Sequence, residues 1–292
     1  MKSAIQKTLV YSDVFDYPLT EDEAWRFLIS DKRIQRNAFE KELKKLRLSS
    51  RLSGGKQFYC LFGREEILKK RERRKKTSER KLIITKRIAK ILFWVPTVLL
   101  IGISGGLALE NAEKKDDIDL FIITSRGSLW VTRLTLVLLL KIVGQYRGRG
   151  KKESQKVCLN MLIDEAGLKF EKTRQDLYTA HEIAQLKPLL DRNNTYAKFV
   201  GANKWVSKFL PNGMDRIKNH ESRIMDGKTN SRFIIHNSLF IFEKAAKLVQ
   251  ALYMKKHRTS EIVSDHFLAF HPFDYKEFVL KEYNKRLKRY AI

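Results

Sequence analysis

Residues 98–124 read VLLIGISGGLALENAEKKDDIDLFIIT, and the rest of the chain is organised around them. Val98–Ile103 and Ile118–Ile123 are apolar runs with the length and branched-residue content of buried strands. Between them come Gly105-Gly106, a short Ala- and Leu-rich turn of helix, and Asp117-Ile118-Asp119. Strand side chains alternate, so Asp117 and Asp119 project to one side while Ile118 enters the core. Two neighbouring carboxylates repel unless a cation sits between them, the geometry that a hard, oxygen-liganded ion such as Mg²⁺ wants. The double glycine leaves bare backbone N–H groups at a helix start, a natural seat for a phosphate. Phosphate grip and paired carboxylates together read as nucleotide chemistry.

On Ser104-Gly105-Gly106 and Asp117-Ile118-Asp119-Leu120 the chain resembles the nucleotidyltransferase superfamily, which includes DNA polymerase beta, antibiotic-modifying adenylyltransferases and small toxin-type transferases. The superfamily pattern is Gly-Ser or Gly-Gly followed about a dozen residues later by Asp-x-Asp. The resemblance covers roughly residues 85 to 165. It implies that Gly105 and Gly106, with Ser104 beside them, hold a nucleoside triphosphate, and that Asp117 and Asp119 bind Mg²⁺ or Mn²⁺. The implied reaction is nucleotidyl transfer to an unspecified acceptor hydroxyl. One ion polarises the α-phosphorus and stabilises the leaving pyrophosphate, while a second lowers the pKa of the hydroxyl.

Active members of that superfamily usually carry a third carboxylate on the next strand. Here that strand is VCLNMLI, 157–163, and the nearest position holds Asn160, with Asp164 and Glu165 beyond it. An amide offers an oxygen to a metal but carries no charge and accepts no proton as a base. Four readings stay open: another group supports the chemistry, the register is shifted, the domain is a degenerate nucleotide-binding scaffold or regulator, or the correspondence fails at this strand. Gly106 also stands where many members have serine.

The remainder of the chain sets the context. Its 292 residues allow two or three domains. Lys and Arg number 59 against 33 Asp and Glu, a formal charge of +26 that favours polyanions or an anionic membrane surface. Cys60 and Cys158 form no metal or redox motif, and no charged-then-apolar leader is visible, so the expected compartment is cytoplasmic.

Residues 1–63 resemble a winged helix. A first helix spans Leu9–Val14, Thr20 caps a second with Glu23 as its capping-box partner, and a third runs over Gln35–Arg47. Leu48–Arg51 and Phe58–Leu61 read as a hairpin around Gly54-Gly55-Lys56. Such a module either contacts RNA or DNA or serves as a packing unit; Glu40 and Glu42 interrupt the basic helix face. Residues 64–90 read as a basic linker helix, either solvated or a phosphate-contacting stripe carrying Arg71, Arg73, Arg74, Lys75 and Lys76.

Ile91–Leu109 contains no charge and is long enough to span a membrane, but Pro96, Gly102, Gly105 and Gly106 divide it into a helix end, a strand and a loop. A soluble core is the expectation, with peripheral membrane contact and a true span as alternatives. Leu129–Val143 reads as a helix across the sheet, and 144–156 as a flexible basic loop. Glu171–Asn212 reads as helical, with breaks at Pro188 and 191–194; His181 is expected at the surface or in a cap. The predicted fold class is α+β: a nucleotidyltransferase-like mixed sheet with packed helices over 91–212, preceded by the winged-helix-like domain. A linker, 213–232, and a helical region, 233–292, follow. Phe233–Lys256 would pack on the sheet domain, dimerise or lie on a membrane, and Tyr275, Phe278, Tyr283 and Leu287 form a packing face.

Overall fold

The computed structural model describes residues 1–49, 52–54, 57–147, 155–215, 225–226, 237–255, 262–270 and 273–292. The expected wing tip Gly55-Lys56, the loop 148–154 and most of the 213–232 linker lie outside them.

The chain begins with α1 (Lys2–Asp13) and α2 (Glu21–Arg26). The predicted capping box opens α2: Thr20 Oγ1 accepts from Glu23 N at 3.1 Å, and Glu23 Oε2 accepts from Thr20 N at 2.9 Å. Helix α3 (Arg36–Leu48) buries Phe39, Leu43 and Leu46. A two-stranded ribbon follows, β1 (Leu52–Ser53) antiparallel to β2 (Cys60–Leu61), and Leu19 bridges to Tyr59. The first hairpin strand was expected at Leu48–Arg51; instead Leu48 closes α3, with Ser49 N bonded to Lys45 O.

Next come α4 (Glu66–Leu92), β3 (Val98–Ile103), the short α5 (Gly105–Ala108), β4 (Ile118–Thr124) and α6 (Leu129–Ile142). They are followed by β5 (Val157–Asp164), α7 (Leu177–Gln185), β6 (Lys187–Asp191), α8 (Thr195–Ala202) and β7 (Met225–Asp226). The chain ends with α9 (Asn237–Lys255), β8 (Ile262–Val263), β9 (Phe267–Ala269) and α10 (Phe273–Arg289). The result is a mixed α+β architecture whose main sheet has the order β7-β6-β3-β4-β5-β9-β8. Strand β3 runs antiparallel to both neighbours, whereas β4 and β5 are parallel, joined by the α6 crossover.

The two central strands are apolar on both faces because helices cover both. On one face the second half of α4, with α6 and α9, packs Ile88, Leu92, Trp130, Leu136 and Ala246 over Ile101, Ile118, Leu120 and Ile122. On the other, α7, α8 and the turn at 204–208 pack Ile183, Phe199 and Val206 over Leu100, Phe121 and Ile123. Ile91–Leu109 is a helix end, a strand and a short helix, and among the described residues no helix is long and apolar enough to cross a membrane.

Two strands overturn sequence expectations. Lys187–Asp191, expected within a helical stretch broken at Pro188 and at 191–194, is β6, paired with β3. Pro188 lacks an N–H, and the ladder shifts register where it lies opposite Gly102. Phe267–Ala269, expected within a helical region, is β9, and Leu268 is fully buried against the sheet. The C-terminal helix also crosses to the first core: Val279 and Tyr283 cluster with Ile5, Leu9, Tyr11 and Leu43. Tyr275 and Phe278, expected on that packing face, are 44% and 55% exposed; Tyr275 rests against Phe278 and Tyr178 rather than in that core.

Leu268→Ala should lower unfolding free energy by about 2–5 kcal/mol, the cost of an unfilled cavity in a close-packed core. Urea denaturation measures it; a loss within the scatter of surface substitutions would show that β9 is not an integral strand.

Candidate functional site

The glycine turn and the acidic pair meet because β3 and β4 are antiparallel neighbours. Ile103 lies opposite Leu120, and Ser104 N donates to Asp119 O at 3.0 Å, so the chain leaves β3 beside the start of β4. Gly105 has φ +62°, and a Cβ there would stand 3.0 Å from Asp119 Oδ2. Only glycine meets both conditions without strain. Gly106 is different, since its Cβ would find ordinary contact 3.5 Å from Asn111 O.

Gly105, Gly106, Asp117 and Asp119 line one cavity of about 770 Å³ between the sheet and the N-terminal helices. Arg147, just after α6, forms an ion pair with Asp117. Burial raises the Asp117 carboxyl above its ordinary value; Arg147 opposes that shift and Asp119 adds to it. Tyr178 and Glu182 from α7 and Tyr275 from α10 line the same cavity. The sequence marked none of these four as site residues: Arg147 fell in the basic loop 144–156 and Tyr275 on a packing face, and their convergence here is tertiary.

Asp117 is held by a loop, residues 109–117, that rests on one side of α4. The side chains at 71, 74, 78, 81 and 85 recur at three- and four-residue spacing and are all buried. Arg71 donates to Leu109 O at 3.1 Å and to Glu23 at 3.0 Å. Arg74 donates to Asn111 Oδ1 at 3.3 Å and Glu113 at 2.6 Å, and Ser78 Oγ accepts from Ala112 N at 3.0 Å. Lys81, only 2% exposed, donates to Glu113 O at 2.6 Å and also to Asp116 O. Burial lowers the Lys81 pKa, and the carboxylates of Asp116, Asp117 and Asp119 push it back up. The basic helix is therefore no simple solvated linker. Its Arg73, Lys75 and Lys76 remain exposed, while Arg71 and Arg74 are structural clamps.

The other expected site residues stand back from the cavity. Ser104 is buried, and its Oγ accepts from Asn160 Nδ2 at 3.2 Å. Asn160 is 2% exposed and lines a second, mainly apolar cavity of about 110 Å³ with Phe121, Phe170 and Phe267. Among the described residues its buried Oδ1 has no hydrogen-bond partner. The residue level with Asp119 on β5 is instead Cys158. Burial, reinforced by Asp119, pushes that thiol up to about 12, so it stays protonated at neutral pH. Asp164 turns away to cap the next turn, accepting from Ala166 N at 2.9 Å and Gly167 N at 3.2 Å.

His181 corrects another expectation: it is buried rather than superficial. Its ring stacks on Tyr11 at 3.8 Å, Nδ1 lies 2.9 Å from Leu177 O, and burial lowers its pKa to about 4.

Among the described residues, no three His, Cys, Asp or Glu side chains are grouped to hold a metal ion. The donor set is the Asp117–Asp119 pair beside a glycine backbone. Mg²⁺ is commonly bound by one or two carboxylates with substrate phosphates completing its shell, and the pair fits that mode. In comparisons with known proteins, no family model, curated protein or solved structure matches the chain.

Gly105→Ala should cost about 1–2 kcal/mol from its left-handed backbone alone, whereas Gly106→Ala should be close to neutral. Paired urea titrations compare them, and equal losses would contradict the close approach to Asp119. The depressed His181 pKa has a defined sign. Below 6.5 the unfolded chain takes up a proton that the folded chain refuses until about 4, so stability is full above that window and falls through it. His181→Phe should flatten the decline of the urea midpoint across this pH range; an unchanged slope would show that His181 is not its source.

Proposed function

We propose that the chain binds a magnesium nucleoside triphosphate in the 770 Å³ cavity and transfers its nucleotidyl group to an acceptor hydroxyl. The observation carrying this reading is the left-handed Gly105 backbone set against Asp119 on a cavity wall shared with Asp117. Together with the sequence resemblance, it supports a nucleotidyltransferase-like site. Asp117 and Asp119 would hold Mg²⁺, or Mn²⁺ in its place, which when bound supplies charge neutralisation at the phosphates.

The chain's own residues supply the rest. Gly105 and Gly106 let backbone approach the phosphates with no side chain intervening. Arg147, paired with Asp117, adds a guanidinium for phosphate oxygens, and exposed Lys115 adds an ammonium from the same cavity. Tyr178 and Tyr275 give aromatic walls for a base. Glu182 is positioned in this reading to accept the proton of the acceptor hydroxyl, the task that Asn160 cannot perform. RNA or DNA is an acceptor class compatible with α3, whose Lys41, Lys44, Lys45 and Arg47 are exposed.

One observation favours a second reading, nucleotide binding without turnover: the strand position beside Asp119 holds a protonated Cys158 rather than a carboxylate. The two readings separate experimentally. Asp119→Asn should weaken Mg·ATP binding by at least about 10-fold in calorimetry, a loss seen even for outer-shell partners of metals. Equal affinities would remove the metal assignment. Labelled nucleoside triphosphates, incubated with Mg²⁺ or Mn²⁺ and pools of RNA, protein and small molecules, should label one pool. Transfer lost in an Asp117→Asn/Asp119→Asn variant establishes the transferase, whereas metal-dependent binding without transfer establishes the second reading.

A further inference from the structure

The three helices that cover one face of the sheet carry an unusual outer surface. Their inward sides are spent on the core: Ile88 and Leu92 of α4, Leu136 and Leu140 of α6, and Ala246 of α9. Away from the core, large apolar side chains remain uncovered. Trp94, at the end of α4, is 84% exposed and Ile142 of α6 is 80% exposed. On α9, Phe242, Ala245, Val249 and Leu252 recur at helical spacing, and Leu248 lies beside them; Leu248 and Leu252 are each 63% exposed.

The charges among these residues have one sign. Residues 80–92 of α4 and all of α6 contain no Asp or Glu. The exposed cations there are Arg80, Lys86, Arg87, Lys90 and Lys141. The single acid of α9, Glu243, is turned inward to the start of α6, where its two oxygens accept from Trp130 N and Val131 N, both at 2.8 Å. That contact removes the one acid on these segments from their outer surface. Asp265, before β9, pairs with Lys247 and is an acid that approaches this layer from a neighbouring element.

We propose that this helical face docks on an anionic lipid bilayer. A soluble partner of acidic character would be met by cations, but it would leave Trp94, Ile142 and the α9 stripe in water. Nucleic acid offers phosphates and no apolar layer. A bilayer interface offers both in the right order: headgroup phosphates for lysine and arginine, and the acyl boundary for leucine, isoleucine, phenylalanine and tryptophan. Exposed tryptophan suits that boundary because its ring is apolar with a polar N–H. The attachment is peripheral, since among the described residues no helix can cross. It is independent of the nucleotide reading, which concerns a different surface.

The test uses the full chain and vesicles of phosphatidylcholine alone or mixed with phosphatidylserine. Flotation should recover the protein with mixed vesicles, and binding should blue-shift the tryptophan emission, a shift that is lost in Trp94→Phe while the other three tryptophans still emit. Leu248→Asp/Leu252→Asp, at exposed positions, should lower vesicle affinity by about 10-fold or more while leaving the far-ultraviolet circular dichroism unchanged. Lys86→Glu/Arg87→Glu/Lys90→Glu should lower it by a similar or larger factor. Failure to float overturns the proposal. So does binding indifferent to the α9 variant, which would reduce it to charge attraction. So does a dimer in solution dissolved by that variant, which would assign the face to a second copy.

Discussion

The structure depends on three buried cations finding oxygen partners. Arg71, Arg74 and Lys81 lie on one side of a helix, and an ion removed from water costs several kcal/mol unless its protons are accepted elsewhere. Here the acceptors are Glu23, Glu113, the Asn111 amide, and the carbonyls of Leu109, Glu113 and Asp116. The loop between the glycine turn and the acidic pair is thus tied to the helix through its carbonyls, each of which accepts a second bond as well, from Tyr17 Oη at Leu109, from Asp116 N at Glu113 and from Gln155 N at Asp116. Removing one cation would loosen the hold of the helix on this loop, and removing Glu113 would take from the buried Arg74 guanidinium its carboxylate partner. The arrangement is mutual, and the position of Asp117 follows from it.

The same helix connects the two cores. Its first half faces the N-terminal helices through Arg71, whose guanidinium stacks on Tyr17 at 3.9 Å, while its second half packs on the sheet. A second tie forms at Asp13, nearly fully buried, which accepts from Arg64 at 2.7 Å and from Arg286 of the last helix. The two arginines that share this carboxylate, Arg64 and Arg286, stand more than two hundred residues apart in the chain. The cavity walls are contributed in the same way: glycines from α5, aspartates from the start of β4, Tyr11 from the first helix and Phe15 from the turn after it, Tyr178 and Glu182 from α7, Tyr275 from α10. The site is built at the seam where these parts join.

That geometry separates chemical roles by burial. Asp117 and Asp119 line the large cavity, whereas Ser104 and Asn160 are withdrawn behind them and bonded to each other. The resemblance grouped all four as one site because it counts positions along a strand. The ladder shifts between Leu120 and Phe121, however, so Asn160 falls at a bulge and Cys158 stands level with Asp119. Spacing alone carries no record of that shift.

What the sequence determined by itself was local. Continuous apolar runs marked β3, β4 and β5, Thr20 and Glu23 marked a helix start, and Gly105-Gly106 with Asp117 and Asp119 marked the candidate site. Each is legible because hydrophobic periodicity, capping and glycine backbone freedom act within a few residues. The tertiary structure alone decided that Pro188 lies in a strand, that Phe267–Ala269 joins the sheet, and that His181 is buried. It also decided that the basic helix turns Arg71, Arg74 and Lys81 inward, against a pattern that read as a solvated or phosphate-binding stripe. The physical reason is common to all four: a short strand, a buried imidazole or a buried cation is stabilised by partners distant in the chain, and those partners exist only once the chain has folded around them.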